Sequence, residues 1–600
     1  LIRTAYFLLE YVVFEENMQN YKRKLSIEQL EARQVLSPIM PITSAMVSTM
    51  NLPHNIPDFA QNYSKYVVAN GNWSNPAIWN GGVVPAANDV VIIGSSYSVS
   101  VNGPVNVKTI GVHRNLVITN QVKVQHFLIY EDGSLNLFGG TDIVIRDLPL
   151  DLGIDPNQVG NGLIVLGKLN ANGASKTPFV RLSQEPLAGH NQLILSIVPF
   201  NWQIGDQLIL PDTRQPSPDN LNFKADQTER LTIQSINGNV ITLTSPLLFN
   251  HFGAWDADNV LRFLPHIANV SRNIVVRSEN PNGVRGHTIF VHRAEVDVNN
   301  VVFKDLGRTT TAILHNTIFN SDGSINTYGT NQIGRYPVHF HHVLGPSIPT
   351  SPFQYYFTGN VIDGGDLIRK NKWGVTVHQS HFGLLKDNVI YNMAGAGFVT
   401  EDGNEYGNVF DHNIVIKTPG DSSVGHYKDN GRTGTGFWFR GPYNYVMNNI
   451  VTGSQLVAYY QFTRLRNTTW DGANAGTVLL PLVEAIPTAP GQDPSQYTQY
   501  PTQTITKRRT MTYHFIEFRD NESYGNYEAL EFYRSNNPIS TAETTFAYDT
   551  VIWNTAQGYG GHYDVFVELD GWIQIGDANQ LSAVHKTPSF GLKDGSYTPR

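Results

Sequence analysis

Gly334–His341 reads GRYPVHFH, Val375–Gly383 reads VTVHQSHFG and Phe398–Gly403 reads FVTEDG. In each stretch apolar and polar residues alternate with the period of a β-strand. One face is therefore buried, and the other carries His339 and His341, then Thr376 and His378, then Glu401. Around these stretches recur apolar steps led by asparagine: NVIDGG from Asn360, NVIYN from Asn388, NIVIK from Asn413 and NNIVTG from Asn448. Their loose period of roughly 23 to 36 residues is that of a β-solenoid, in which each repeat forms one coil and the asparagines fall on equivalent corners. Stacking the coils places the three polar faces in one patch on the wall.

The whole composition agrees with an all-β fold. The chain has 600 residues, 41% hydrophobic and 15% charged, and its short Val/Ile runs are separated by Gly, Asn, Asp and Pro. Helical periodicity is scarce beyond about residue 60. A net charge of −8 without a basic stripe argues against a nucleic-acid partner. The absence of cysteine rules out disulfides and thiolate metal sites. No run approaches the roughly 18 to 20 apolar residues that span a bilayer. The 11% aromatic content suits stacking on sugar faces as well as core packing.

The wall patch has the makings of a site. Neutral imidazoles are good ligands for divalent ions, and His339 and His341, two apart on one strand, present two nitrogens to one centre. His378, on the next coil about 4.8 Å away, supplies a third. The expectation is a three-histidine site for a divalent ion (Zn, Ca or Mn) that polarises a sugar or uronate oxygen. The competing reading is a structural ladder of hydrogen-bonded histidines. Strand alternation sends His342 to the opposite face, and His381 falls in the following turn, so neither is counted among the ligands. Glu401 shares the histidines' face and is the candidate general acid or base, with His378 and Arg335 also assigned to catalysis. Arg335 is suited to clamping a uronate carboxylate. Trp438 and Arg440 of GTGFWFRGP, with Asp402, which caps the turn before Gly403, are the candidate substrate contacts.

At the N-terminus, Met18 is the expected start. The segment QNYKRKLSIEQLEARQVLS then resembles the leader of large exported bacterial proteins, with basic residues ahead of an LExR motif at Leu30–Arg33. An ordinary amphipathic helix over Ile27–Leu36 is the alternative. From Asn72, NWSNPAIWNGGVVPAANDVVIIG resembles the opening of a G-eight domain through Trp73, Trp79, Gly81–Gly82, Pro85, Asp89 and the VVII run. The order GRYPVHFH, VTVHxSH, FxTEDG and GFWF is similar to that of the family containing the cell-migration-inducing hyaluronan-binding protein, hyaluronidase transmembrane protein 2 and the fibrocystin-like proteins. The resemblance spans about residues 70 to 460. One departure is the run HFHHVLGPS, which lacks the Gly-Asp pair that follows HFH in that family.

The resemblance implies a β-rich G-eight domain followed by a right-handed parallel β-helix, in a secreted or cell-surface bacterial protein that binds or degrades an acidic, hyaluronan-like polysaccharide. The expected division is a leader and linker over 1–63, the G-eight-like domain over 64–190, and a strand-rich connection over 191–261 with a hairpin at Asn237–Gly238. The β-helix follows over 262–570, with a long loop at Arg464–Gln503, and a tail over 571–600. The favoured activity is glycoside hydrolysis by a monomer. A β-helix polysaccharide lyase and a non-catalytic glycan-binding surface protein are the alternatives.

Overall fold

The computed structural model describes residues 52–216, 226–343, 345, 353–366, 371–401, 403, 405–421, 431–441, 443–462, 515–533, 545–562 and 567–576, together with the backbone of Ser582–His585, Phe590–Lys593 and Ser596–Pro599. The expected leader, Ile27–Leu36, the long loop at Arg464–Gln503, and Asp402 lie outside these residues. Among the described residues there is no α-helix, and no helix is long and apolar enough to cross a membrane.

Three parallel sheets of 14, 14 and 13 strands run the length of the molecule. Each coil contributes one strand to each sheet, which is the architecture of a parallel β-helix. Inward residues of successive coils stack into one interior core. In the first sheet these are Val338 and Phe340, Val375 and Val377, Phe398, then Phe437 and Phe439. Aromatic rings continue the stack, with Phe340 4.5 Å from Tyr355, Phe398 4.9 Å from Phe437, and Phe437 5.3 Å from Tyr459.

The asparagine steps do mark one corner. Asn360, Asn388, Asn413, Asn449 and Asn521 are fully buried there. Asn413 Oδ1 accepts both the backbone N–H of Asn388 (3.0 Å) and its side-chain amide (2.9 Å), while Asn413 Nδ2 donates to Leu385 O at 2.9 Å. The same pattern joins Asn413 to Asn449 and Asn449 to Asn521. The fourth step is thus Asn449, one residue beyond the expected Asn448. Asn448 is instead the left-handed residue that turns the corner (φ 56), as are Asp387 (φ 58), His412 (φ 51) and Asp520 (φ 54) in their coils. Residues of these types tolerate that conformation better than most side chains. Substituting Asn413→Leu takes a hydrogen-bond partner from four buried polar groups, the N–H and side-chain amide of Asn388, Leu385 O and Asn449 Oδ1. We expect a loss of about 3 to 5 kcal/mol, read as a lowered urea midpoint.

The expected domain boundaries do not coincide with breaks in the sheets. Strands Val90–Ile93 and Thr109–Val112 of the G-eight-like part belong to the same first sheet as Val338–His341. The expected tail over 571–600 instead continues the coils through Ile573–Gly576, Ser582–His585, Phe590–Lys593 and Ser596–Pro599. Strand patterning reveals that a segment is a strand, not which sheet it joins. The connecting segment is also larger than expected. It leaves the coils after Lys168–Asn172 and returns at Val275–Ser278, and it forms a six-stranded antiparallel sheet in which the first strand along the chain, Phe179–Arg181, pairs with the last, His266–Asn269. Its hairpin does turn at Asn237–Gly238, where Gly238 has φ 60. One face has its own core around Leu193, Trp202, Leu208 and Ile241. The other packs Phe179, Ile209 and Ala268 on outward residues of the third sheet such as Val389, Ile414 and Trp553. Arg230 fastens the module through Asp363 at 2.9 Å and Asp366 at 2.8 Å.

Candidate functional site

Register decides the site. In the first sheet His339 pairs with Thr376 and His341 with His378, and the N–H of Glu401 donates to Val377 O at 2.9 Å. Because Val338, Phe340, Val375 and Val377 point inward, His339, His341 and His378 point out of the wall together. Their ligand atoms lie within 4.8 Å of one another. The Nδ1 atoms of His341 and His378 are 2.9 Å apart. Glu401 Oε2 lies 3.9 Å from His339 Nε2 and 3.7 Å from His378 Nδ1. Gly334 O, 3.1 Å from His339 Nδ1, accepts a hydrogen bond that holds the proton on Nδ1 and turns the Nε2 lone pair toward this group.

The arrangement fits a metal ion. Tetrahedral zinc at its usual bond lengths keeps its nitrogen ligands about 3.4 Å apart, a separation that small side-chain movements reach from the observed one. An all-imidazole set suits zinc or another first-row ion and suits calcium poorly, since calcium takes oxygen ligands. Burial, reinforced by the rings of His342, His378, His339 and His54, pushes the pKa of His341 well below the usual imidazole value, so it is neutral and ready to ligate at neutral pH.

Two other imidazoles join the group. His342 was expected on the opposite face, but it is the corner residue after the strand, with φ 54, and alternation ends there. Its ring centroid lies 4.3 Å from that of His341 and 4.8 Å from that of His378. His54 comes from a stretch expected to be linker. It sits in the turn Pro53–Asn55, and its ring is 4.9 Å from His341 and 4.8 Å from His342. No periodicity marks it in the sequence. His381 is buried and accepts the N–H of Tyr406 at 3.2 Å, a structural role.

Two expected substrate contacts are used otherwise. Arg335 is buried, donating through Nε to Gln158 O at 2.7 Å and through Nη2 to Asn157 O at 2.5 Å, and burial lowers its pKa to about 10. It ties a loop of an earlier coil to the wall and is not placed to clamp a uronate. Trp438 does face away from the interior core, but it is only 1% exposed and packs among Trp373 and Phe462, so it offers no open stacking platform. Arg440 is partly exposed beside the site, with Nη1 3.3 Å from Glu401 O.

Buried neutral histidines elsewhere make the fold sensitive to acid. Burial lowers His126, helped by the charges of Lys108 and Arg308, and His381 to about 3. Above the unfolded value of 6.5 both states are neutral and the full stability is present. As the pH falls from 6.5 toward 3 only the unfolded chain takes up protons, so stability is lost. At pH 5 each of the two accounts for about 2 kcal/mol. Thermal midpoints should therefore fall steeply between pH 6.5 and 4.5.

Fold and site together define a parallel β-helix with a histidine-rich patch on its outer wall. Residues 315–530 match the family model described as CEMIP beta-helix. The chain is 24% identical over 300 residues to human fibrocystin-L, a match covering 46% of this chain and 7% of that protein. It is 20% identical over 400 residues to a G8 domain-containing protein of Dictyostelium discoideum, covering 59% of this chain and 30% of that one. A cell surface hyaluronidase of Danio rerio is 25% identical over 276 residues, 42% of this chain and 19% of the relative. Each match thus spans less than a third of the relative. The resemblance read from the GRYPVHFH, VTVHxSH, FxTEDG and GFWF series holds.

Proposed function

We propose that this chain is an extracellular or cell-surface enzyme that degrades an acidic polysaccharide of the hyaluronan type. The observation that carries the reading is the convergence of His339, His341, His378 and Glu401 on one outward patch. Similarity to a cell surface hyaluronidase supports the choice of substrate class and location. His339, His341 and His378 would hold a divalent ion, zinc by the chemistry of the donors, which supplies Lewis acidity toward a glycan oxygen. Glu401, 9% exposed at its side chain, has its carboxylate 3.9 Å from His339 Nε2 and 3.7 Å from His378 Nδ1 and moves the proton during bond cleavage. Arg440 provides the nearby positive charge for a substrate carboxylate, the part that Arg335 does not play.

Glu401→Gln keeps the shape of the side chain and loses its titratable proton. We expect turnover to fall about 10² to 10⁴-fold while zinc affinity and glycan affinity stay within a few-fold of wild type. Unimpaired turnover would place the proton-transfer group elsewhere. Products absorbing in the near ultraviolet would identify elimination and replace hydrolysis by a lyase reaction. Binding of hyaluronan without shortening would leave a glycan-binding surface protein.

A further inference from the structure

The turn that carries His54 belongs to no coil of the β-helix. The bridge between Leu52 and Ile56 closes it, and Ile56, Phe59 and Ala60 anchor it on the outer face of the first sheet against Leu128, Ile164 and Ile289. Ile289 is paired with His339 in the next strand, so this hydrophobic anchor delivers the turn to the edge of the histidine patch. His54 itself has φ 63, a left-handed conformation that is unfavourable for a non-glycine residue and that persists where its surroundings impose it. His342 has φ 54. Two residues outside regular strand geometry thus turn their rings toward one partner, His341. The ligand atoms of His54, His341 and His342 lie within 4.8 Å of one another, as do those of His339, His341 and His378.

We infer that His54, His341 and His342 form a second binding site for a borderline divalent cation such as zinc, which shares His341 with the first site. An imidazole has two ring nitrogens, and Nδ1 of His341 already faces His378. With both sites filled, His341 would bridge the two ions through its two ring nitrogens: its one N–H proton leaves to solvent, its hydrogen bond with His378 Nδ1 gives way to nitrogen–metal bonds, and the imidazoles displace water from the ions. Three imidazoles match zinc and its first-row neighbours better than calcium or magnesium. Of the five rings, only His54 comes from outside the coils, so the second ion would tether the N-terminal segment to the wall beside Glu401. This inference shares His341 with the reading of the first site but is tested separately from it.

The test is zinc stoichiometry. The full chain, stripped with chelator, is titrated with Zn²⁺ by calorimetry, and bound metal is counted after desalting. We expect two equivalents for wild type, one for His54→Ala, one for His378→Ala and none for the double variant. His54 is partly exposed on a surface turn, so its replacement leaves the coils intact, which an unchanged far-ultraviolet spectrum checks. His342→Ala is the second variant and should also lose one equivalent. If His54→Ala binds as much zinc as wild type, the inference is overturned. A single ion that His378→Ala loses and His54→Ala keeps overturns the second site and leaves the first. A single ion with the opposite behaviour supports the second site and overturns the first. Zinc binding no higher than background overturns both.

Discussion

His378→Ala should lose zinc from the first site with at least about a hundredfold fall in affinity, and glycan degradation should fall to background while the fold survives. The ring stands between His341 at 2.9 Å and the Glu401 carboxylate at 3.7 Å, so its removal takes away both a nitrogen donor and the link between the other donors and the proton-transfer group. Partners one shell further out typically contribute ten- to a hundredfold to metal affinity, and a direct ligand contributes no less. Because the side chain points out of the wall, its loss opens no gap in the interior stack of Val375, Val377 and Phe398. An unchanged thermal midpoint in the presence of chelator separates this local effect from unfolding. Retained activity in a variant that has lost its zinc would detach the ion from the chemistry.

Val377→Asp, one residue away, should have the opposite character. Val377 is fully buried in the interior cluster, so the substitution places a carboxylate in an apolar stack. The expected cost exceeds about 4 kcal/mol, enough to unfold the coil or shift the carboxylate to its protonated form. Since each coil is held mainly by its neighbours, damage should spread from Trp373–His378 to the strands on either side, Val338–His341 and Ala396–Thr400. Hydrogen exchange would show those three strands losing protection before the distant coils. Protection equal to wild type in all three would contradict the assignment of Val377 to the interior.

These two neighbours show what the sequence makes legible. Alternation in VTVH separates Val377 from His378 because a strand has period two, and the asparagine steps reveal the coils because each buried amide must meet the next. His342 escapes the same rule, since alternation holds only within a strand and the residue sits on a left-handed corner. His54 is invisible for a different reason: its neighbours in space are nearly three hundred residues away, and a turn carrying Pro, His and Asn has no periodic signature. Arg335 reads as a substrate clamp because its partners, Gln158 O and Asn157 O, are backbone carbonyls that any residue could supply. Trp438 alternates as expected with Phe437 and Phe439, but alternation does not report what packs on the outer face. The inserted antiparallel sheet was visible as strands, whereas its docking against the third sheet depends on contacts such as Arg230 with Asp363 that join distant segments.

The most direct measurement is to incubate the chain with hyaluronan and with neutral polysaccharides, with and without chelator, and to size the products. Shortening of hyaluronan that stops on chelation, returns with zinc, and is missing in His378→Ala is the predicted result. Hyaluronan left at full length under all these conditions, or shortened equally with the chelator present, would contradict a histidine-bound ion acting with Glu401 on an acidic glycan.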